Sequence, residues 1–349
     1  MKKWIVRILT VVLAAGCLAG CGAEKSGTED AAETKMQAEE AAEQSEEATE
    51  TTEQTGDALQ IVTTIFPEYD WVRQILGENP ANAEVTLLLD QGVDLHSFQP
   101  TAEDIMKISA CDLFVYVGGE SDAWVEDALQ EATNEDMVVI DLLEVLGDRV
   151  KEEEIVEGME AEDEEAEYDE HVWLSLRSAS LLCEELASVI AGIDPEHAGV
   201  YEANAAAYRE ELAALDAAYQ EAVDAAKVKT LLFGDRFPFR YLTEDYGISY
   251  YAAFAGCSAE TEASFETITF LAKKIDELGL TSVMTIEGST PRIAETIIEC
   301  TKEKNQKILS LDSMQAVTGE DAADGVTYLD RMKYNLDVLK EALEESGAE

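Results

Sequence analysis

Basic residues are scarce in this 349-residue chain: 24 Lys and Arg stand against 75 Asp and Glu, a formal net charge of -51. A nucleic-acid partner is excluded on that ground, because phosphates would meet repulsion and no local cluster of Lys or Arg offsets it. Histidine occurs three times, and the six cysteines form no CxxC pair, so the spacing matches neither a zinc ribbon nor a thioredoxin-type redox motif. No apolar run reaches the ~20 residues of a membrane span. With 46% hydrophobic residues the chain is nevertheless too apolar to be disordered throughout. Its length suits two domains or lobes.

What is present begins with Lys2, Lys3 and Arg7 ahead of an apolar stretch over residues 8–15, then Leu18-Ala19-Gly20-Cys21. That order reads as a secretory signal over residues 1–20. The last four residues match a bacterial lipobox, which makes Cys21 the expected lipid-attachment site, anchoring the protein outside the cytoplasm on the cell membrane. Residues 22–57 hold twelve acidic residues, two Lys and no aromatic. Nothing there can be buried to offset the entropy of ordering it, so 21–58 is expected as an acidic disordered tether.

From residue 59 on, runs rich in Val, Ile and Thr alternate with helix-length segments of 3.6-residue period. The runs fall at 61–65, 85–89, 113–117 and 138–140, then at 230–233, 250–254, 282–286 and 308–311. Strands alternating with helices imply parallel βαβ units. Two groups of four imply an α/β protein of two lobes, 59–193 and 227–349, each with a mainly parallel four-stranded sheet. Between them, 194–226 is rich in Ala, Glu, Leu and Tyr, and Asp194-Pro195-Glu196 reads as an N-cap followed by proline at the first helical position. About 30 residues at ~1.5 Å rise give a helix on the order of 45 Å long, a stiff link between the lobes. Cys111 and Cys183 lie in apolar periodic segments and are expected as buried small hydrophobes. Pairing among Cys111, Cys183, Cys257 and Cys300 is not set by their spacing.

Two histidines stand in informative surroundings. His96, in Gly92-Val93-Asp94-Leu95-His96-Ser97-Phe98-Gln99-Pro100, follows the run at 85–89, on the side where ligands gather in open parallel sheets. His171, in Asp169-Glu170-His171-Val172-Trp173-Leu174-Ser175, ends an acidic stretch over 151–170 with twelve carboxylates in twenty residues. A lone loop histidine is more often a surface residue than a ligand, and His171 would serve equally as a helix-start residue bonding locally. Two such histidines, both at loop positions and one beside a carboxylate run, point to a metal. His197, at the start of the long helix, is expected at the surface.

These segments, with Val62-Thr63-Thr64-Ile65-Phe66-Pro67, Ser109-Ala110-Cys111-Asp112-Leu113 and Asn204-Ala205-Ala206-Ala207-Tyr208, stand in the order found in the zinc/manganese substrate-binding lipoproteins of bacterial ABC importers. The chain resembles that family over residues 59–346. The resemblance implies two α/β lobes bridged by one long helix, with a divalent metal between them and His96 and His171 as two of its ligands. The family's third ligand follows the first strand of the second lobe and is His in many zinc binders, Glu in manganese binders. Here that strand ends Gly234-Asp235-Arg236-Phe237-Pro238-Phe239. Matching back from Phe239 and Tyr241 puts Arg236 at the ligand position; a guanidinium cannot bind a cation, so Asp235, one residue earlier, is taken on chemical grounds. Arg236 is then expected to pair with a carboxylate behind the ligands. The fourth ligand, an acid after a later strand, falls on Glu287.

Two neutral imidazoles and two carboxylates neutralise a dication and suit Zn2+ or Mn2+. Affinity order favours zinc, while Asp in place of His moves the site toward harder ions. Four protein ligands leave no open water position of the kind a catalytic zinc keeps. The expectation is therefore a monomeric, non-enzymatic receptor that captures a divalent transition metal outside the cell and hands it to an ABC permease. Two other readings stand beside it: an extracytoplasmic zinc hydrolase with His96 and His171 as ligands and Glu287 as general base, and a surface adhesin that keeps the fold as a scaffold and has no need for metal. The acidic stretch 151–170 reads either as weak ion capture at the site mouth or as a solvated loop without a specific role.

Overall fold

Eight strands form two separate four-stranded sheets in which every pairing is parallel, in a computed structural model describing residues 58–160, 167–258 and 262–344. The expected signal sequence, Cys21 and the tether up to residue 57 lie outside the described residues. The first sheet contains β1 (Gln60–Thr63), β2 (Glu84–Leu87), β3 (Leu113–Tyr116) and β4 (Val138–Asp141), in the order β2-β1-β3-β4. The second contains β5 (Thr230–Phe237), β6 (Ser249–Ala255), β7 (Ser282–Ile286) and β8 (Lys307–Leu311), in the order β6-β5-β7-β8. All eight apolar runs read from the sequence are strands. β3 is apolar along its length and β7 is buried along its length, because helices cover both faces of a parallel sheet. In each sheet the order reverses between the first and third strands, and loops leaving the carboxyl ends at such a switch point make a natural crevice.

Helix Ala198–Ala225 joins the sheets in sequence, packing on helices Leu176–Ile193, Phe66–Leu76 and Tyr328–Glu344. Its start differs from the expectation: Asp194 does not cap it but ends the preceding helix, its N–H donating to Ile190 O. Proline at 195 disfavours the helical region for the residue before it, so the chain turns through 194–197 first. The Asp194 carboxylate still serves the start of the long helix, accepting from His197 Nδ1 and from the Tyr201 hydroxyl, each at 2.6 Å. One apolar cluster runs without a break from Ile61 and Phe114 through Trp173 and Tyr219 to Phe233 and Leu311, so the two lobes share a core. Such packing limits relative movement to small adjustments.

Cys111 and Cys183 are buried, and the four described cysteines carry no disulfide. The described parts of the acidic stretch are not a free loop. Residues 151–160 lie against the second lobe, where their carboxylates find donors: Glu154 pairs with Arg240, Glu153 Oε1 accepts from the N–H of Cys257 at 2.9 Å, and Glu160 Oε1 accepts from that of Ser264. Lys151 N–H in turn donates to the Tyr241 hydroxyl at 2.9 Å.

Candidate metal centre

The loop after β2 turns through a short 3-10 segment, Leu95–Ser97, because Asp94 Oδ1 accepts from His96 N–H at 3.0 Å and Leu95 is buried beneath it. This holds the His96 ring at the crevice. His171 opens a second 3-10 turn, Val172–Leu174, before Ser175 caps helix Leu176–Ile193 by accepting from Ser178 N–H. Buried Trp173 anchors that turn to the second lobe by donating from Nε1 to Ser313 O at 2.8 Å, and the Tyr328 hydroxyl donates to Trp173 O at 2.6 Å.

The two rings meet with His96 Nε2 and His171 Nε2 3.2 Å apart. Their other nitrogens are committed. His171 Nδ1 lies 3.0 Å from Asp169 Oδ1, and His96 Nδ1 lies 2.7 Å from Ser121 Oγ and 3.5 Å from Glu170 Oε2. The Asp169 carboxylate assigns the His171 N–H to Nδ1, and with the Ser121 hydroxyl accepting from His96 Nδ1 both Nε2 lone pairs face each other. That arrangement is unfavourable unless a proton or a cation lies between them. Burial, and next the charge of His171, push His96 down to about 3. Burial also opposes the His171 imidazolium, but Asp169, then Glu170 and Asp94, outweigh it and raise the pKa. Of the two rings, His171 is therefore the one that takes up a proton first.

The C-terminal lobe brings a third candidate that sequence reading missed. Among the described residues, His96, His171 and Cys257 form a group whose ligand atoms all lie within 4.8 Å of one another. Cys257 follows β6, on the carboxyl side of its sheet; that placement was its only signal, since it matches no cysteine spacing pattern. Asp235 and Glu287 stand outside this group. Asp235 sits where β5 bulges beside Gly234, a position pressed so closely on helix Arg292–Cys300 that a Cβ would lie 2.7 Å from Ala294 Cα. Its Oδ2 accepts from Ile286 N–H at 3.2 Å and from the Ser289 hydroxyl. Glu287 accepts from Ser313 N–H at 2.7 Å, from the Ser313 hydroxyl at 2.6 Å and from Gln315 N–H at 3.2 Å, and burial with the neighbouring Asp312 raises its pKa. Arg236, on the same bulge as Asp235, pairs across the crevice with Asp94.

The donor set fits a zinc ion. Two imidazole nitrogens each ~2.0–2.1 Å from zinc at a tetrahedral angle stand roughly 3.3 Å apart, close to the 3.2 Å observed. Each ring is oriented through its second nitrogen by an oxygen partner, as metal-binding imidazoles are. A cavity of about 620 Å³ opens beside the pair, lined by Asp94, His96, Asp235, Arg236 and Cys257 among others.

Comparison with known proteins places this geometry. The chain is 31% identical over 293 residues to the zinc-binding lipoprotein AdcA of Streptococcus pneumoniae, covering 83% of this chain and 56% of AdcA, so it spans just over half the length of that relative. It is 28% identical over 297 residues to the high-affinity zinc uptake system protein ZnuA of Bacillus subtilis, covering 82% of this chain and 88% of that protein. The crystal structure of the Zn(II)-bound ZnuA-like domain of pneumococcal AdcA superposes with a TM-score of 0.64 at 28% identity, covering 82% of this chain and 99% of that domain. The family described as ZnuA, zinc-uptake complex component A, periplasmic, matches residues 61–342, and the chain belongs to that family.

Proposed function

We propose that this chain is an extracytoplasmic receptor, anchored through lipid on Cys21, that binds one zinc ion between its lobes and presents it to an ABC permease. The observation that carries the reading is the opposed pair of Nε2 lone pairs, 3.2 Å apart and each held by an oxygen partner at Nδ1. The zinc-binding and zinc-uptake descriptions of relatives covering over four-fifths of the chain support zinc over manganese. His96 and His171 are the donors of the N-terminal lobe. Asp235 and Glu287 are the candidate carboxylates of the C-terminal lobe, and a ligand role costs each its present hydrogen bonds to backbone N–H groups. A shared core and a long linking helix suit a receptor whose loaded and empty forms differ little, with the metal fixing the relation of the lobes.

The test is elemental analysis of the mature protein purified from its own membranes, with and without His96→Ala. The reading expects about one zinc per chain in the wild type and almost none in the variant. Membrane-derived protein free of zinc and all other transition metals would overturn it.

A further inference from the structure

The C-terminal lobe faces the histidine pair with a turn that is built rather than incidental. Gly256 packs against His171: a Cβ there would lie 3.1 Å from His171 Cε1 and 2.9 Å from Phe237 O, so the turn comes this close only without a side chain. The next residue, Cys257, is held by Glu153 of the acidic stretch, whose carboxylate accepts from its N–H at 2.9 Å and also bonds its side chain. Its Sγ lies within 4.8 Å of the ligand nitrogens of both histidines. A zinc ion with ~2.3 Å to sulfur and ~2.0–2.1 Å to nitrogen separates those donors by roughly 3.6 Å, a closing of on the order of 1 Å. A buried amide stands at the same spot. Gln315 is only 9% exposed, its amide nitrogen stands 3.5 Å from His171 Nε2, and its amide oxygen has no partner within the protein.

From this placement we infer that Cys257 is a direct metal ligand, giving an imidazole–imidazole–thiolate set. On binding, the thiol releases its proton to solvent, and the sulfur lone pair forms the bond to the metal. A thiolate is a soft donor, so it selects zinc and disfavours manganese. Asp235 as a ligand gives up its bond to Ile286 N–H on β7, and Glu287 its bonds to Ser313 and Gln315, whereas Cys257 gives up only its side-chain bond to Glu153. The inference rests on the zinc-receptor reading of the same site.

Cobalt(II) titration of the reduced full-length protein, followed by ultraviolet–visible absorption, tests it. A thiolate-to-cobalt charge-transfer band should appear in the wild type, persist in Cys300→Ser and vanish in Cys257→Ser. Changes behind the ligands cost ~10–100-fold in affinity, so losing a direct donor should weaken zinc by more than roughly 100-fold, measured by chelator competition, and should weaken manganese far less. Cobalt bound without the band, together with wild-type zinc affinity in Cys257→Ser, would overturn the cysteine assignment and leave the receptor reading standing. A wild-type protein that binds neither cobalt nor zinc would overturn both.

Discussion

Arg236 Nη2, on the second lobe, donates to Asp94 Oδ2, on the first, at 2.6 Å. The other oxygen of Asp94 accepts from the N–H of His96 at 3.0 Å, so one carboxylate both shapes the turn that carries a ligand and ties that turn to the opposite lobe. Burial opposes the Asp94 charge, but the guanidinium outweighs it and holds the carboxyl below its usual range.

Arg236→Ala should therefore weaken zinc by roughly 10–100-fold, the range for residues that orient ligands. Arg236→Lys should recover only part of the loss, because an ammonium does not reproduce the guanidinium's directed N–H donors. Chelator-competition titration reads both. Wild-type affinity in Arg236→Ala would show that the cross-lobe pair does not position His96.

Asp235→Asn keeps an oxygen to accept from Ile286 N–H while removing the charge. Its zinc affinity should fall less than that of Cys257→Ser under the same titration. The reverse order would restore Asp235 as the second lobe's donor and remove Cys257 from the ligand set.

The unequal basicity of the two rings sets a particular pH dependence. His96, pushed down to about 3, stays neutral from pH 4 to 8 and adds nothing there. His171, with its pKa raised, must lose a proton before the metal binds. In the Cys257→Ser background, where the thiol adds no proton of its own, log Kd should change by about one unit per pH unit below the His171 pKa and level off above it. A slope of two would mean that both imidazoles are charged in the empty site.

Buried acids give the metal-free protein the opposite preference in stability. Burial, aided by the Glu170 charge, pushes Asp122 up to about 7, and burial with the Asp122 charge raises Glu68 well above the carboxylate range. A raised carboxyl contributes stability that is complete below its unfolded pKa of about 4 and is lost as pH climbs through the folded value. The melting temperature of the metal-free protein should thus be higher at pH 5 than at pH 8, by at least ~3 °C. Asp122→Asn, which can still accept from Gly118 N–H, should flatten that difference. An unchanged pH profile in the variant would contradict the buried charge.

The eight strands were legible because a parallel sheet covered on both faces demands runs such as Leu113-Phe114-Val115, which stand out against an acidic background. His96 and His171 were legible because few histidines exist and both sit in loops where ligands gather. The start of the long helix was misread at Asp194: proline at 195 was taken as the first helical position, but Asp194 ends the preceding helix and the long helix begins three residues after the proline, at Ala198. Cys257 was invisible for a different reason. Its partners lie about 86 and 161 residues upstream in a different lobe, and no local spacing encodes a meeting made by two sheets facing each other. The Asp94–Arg236 pair spans 142 residues; pairing for Arg236 was expected, but its partner was not readable.

Gly256→Ala probes the turn without touching a donor atom. The added methyl should push the turn off His171 and Phe237, weakening zinc by roughly tenfold or more while the far-ultraviolet circular dichroism is unchanged. Full affinity would show that the close approach of this turn does not matter to the site.

The central claim is that the facing imidazoles of His96 and His171 hold a single metal ion, and calorimetric titration of zinc into the metal-free protein tests it most directly. Wild type should bind one equivalent tightly, and the double variant His96→Ala/His171→Ala should show no tight site while keeping its fold by circular dichroism. Equal tight binding by the double variant would mean that zinc is held elsewhere and would contradict the account.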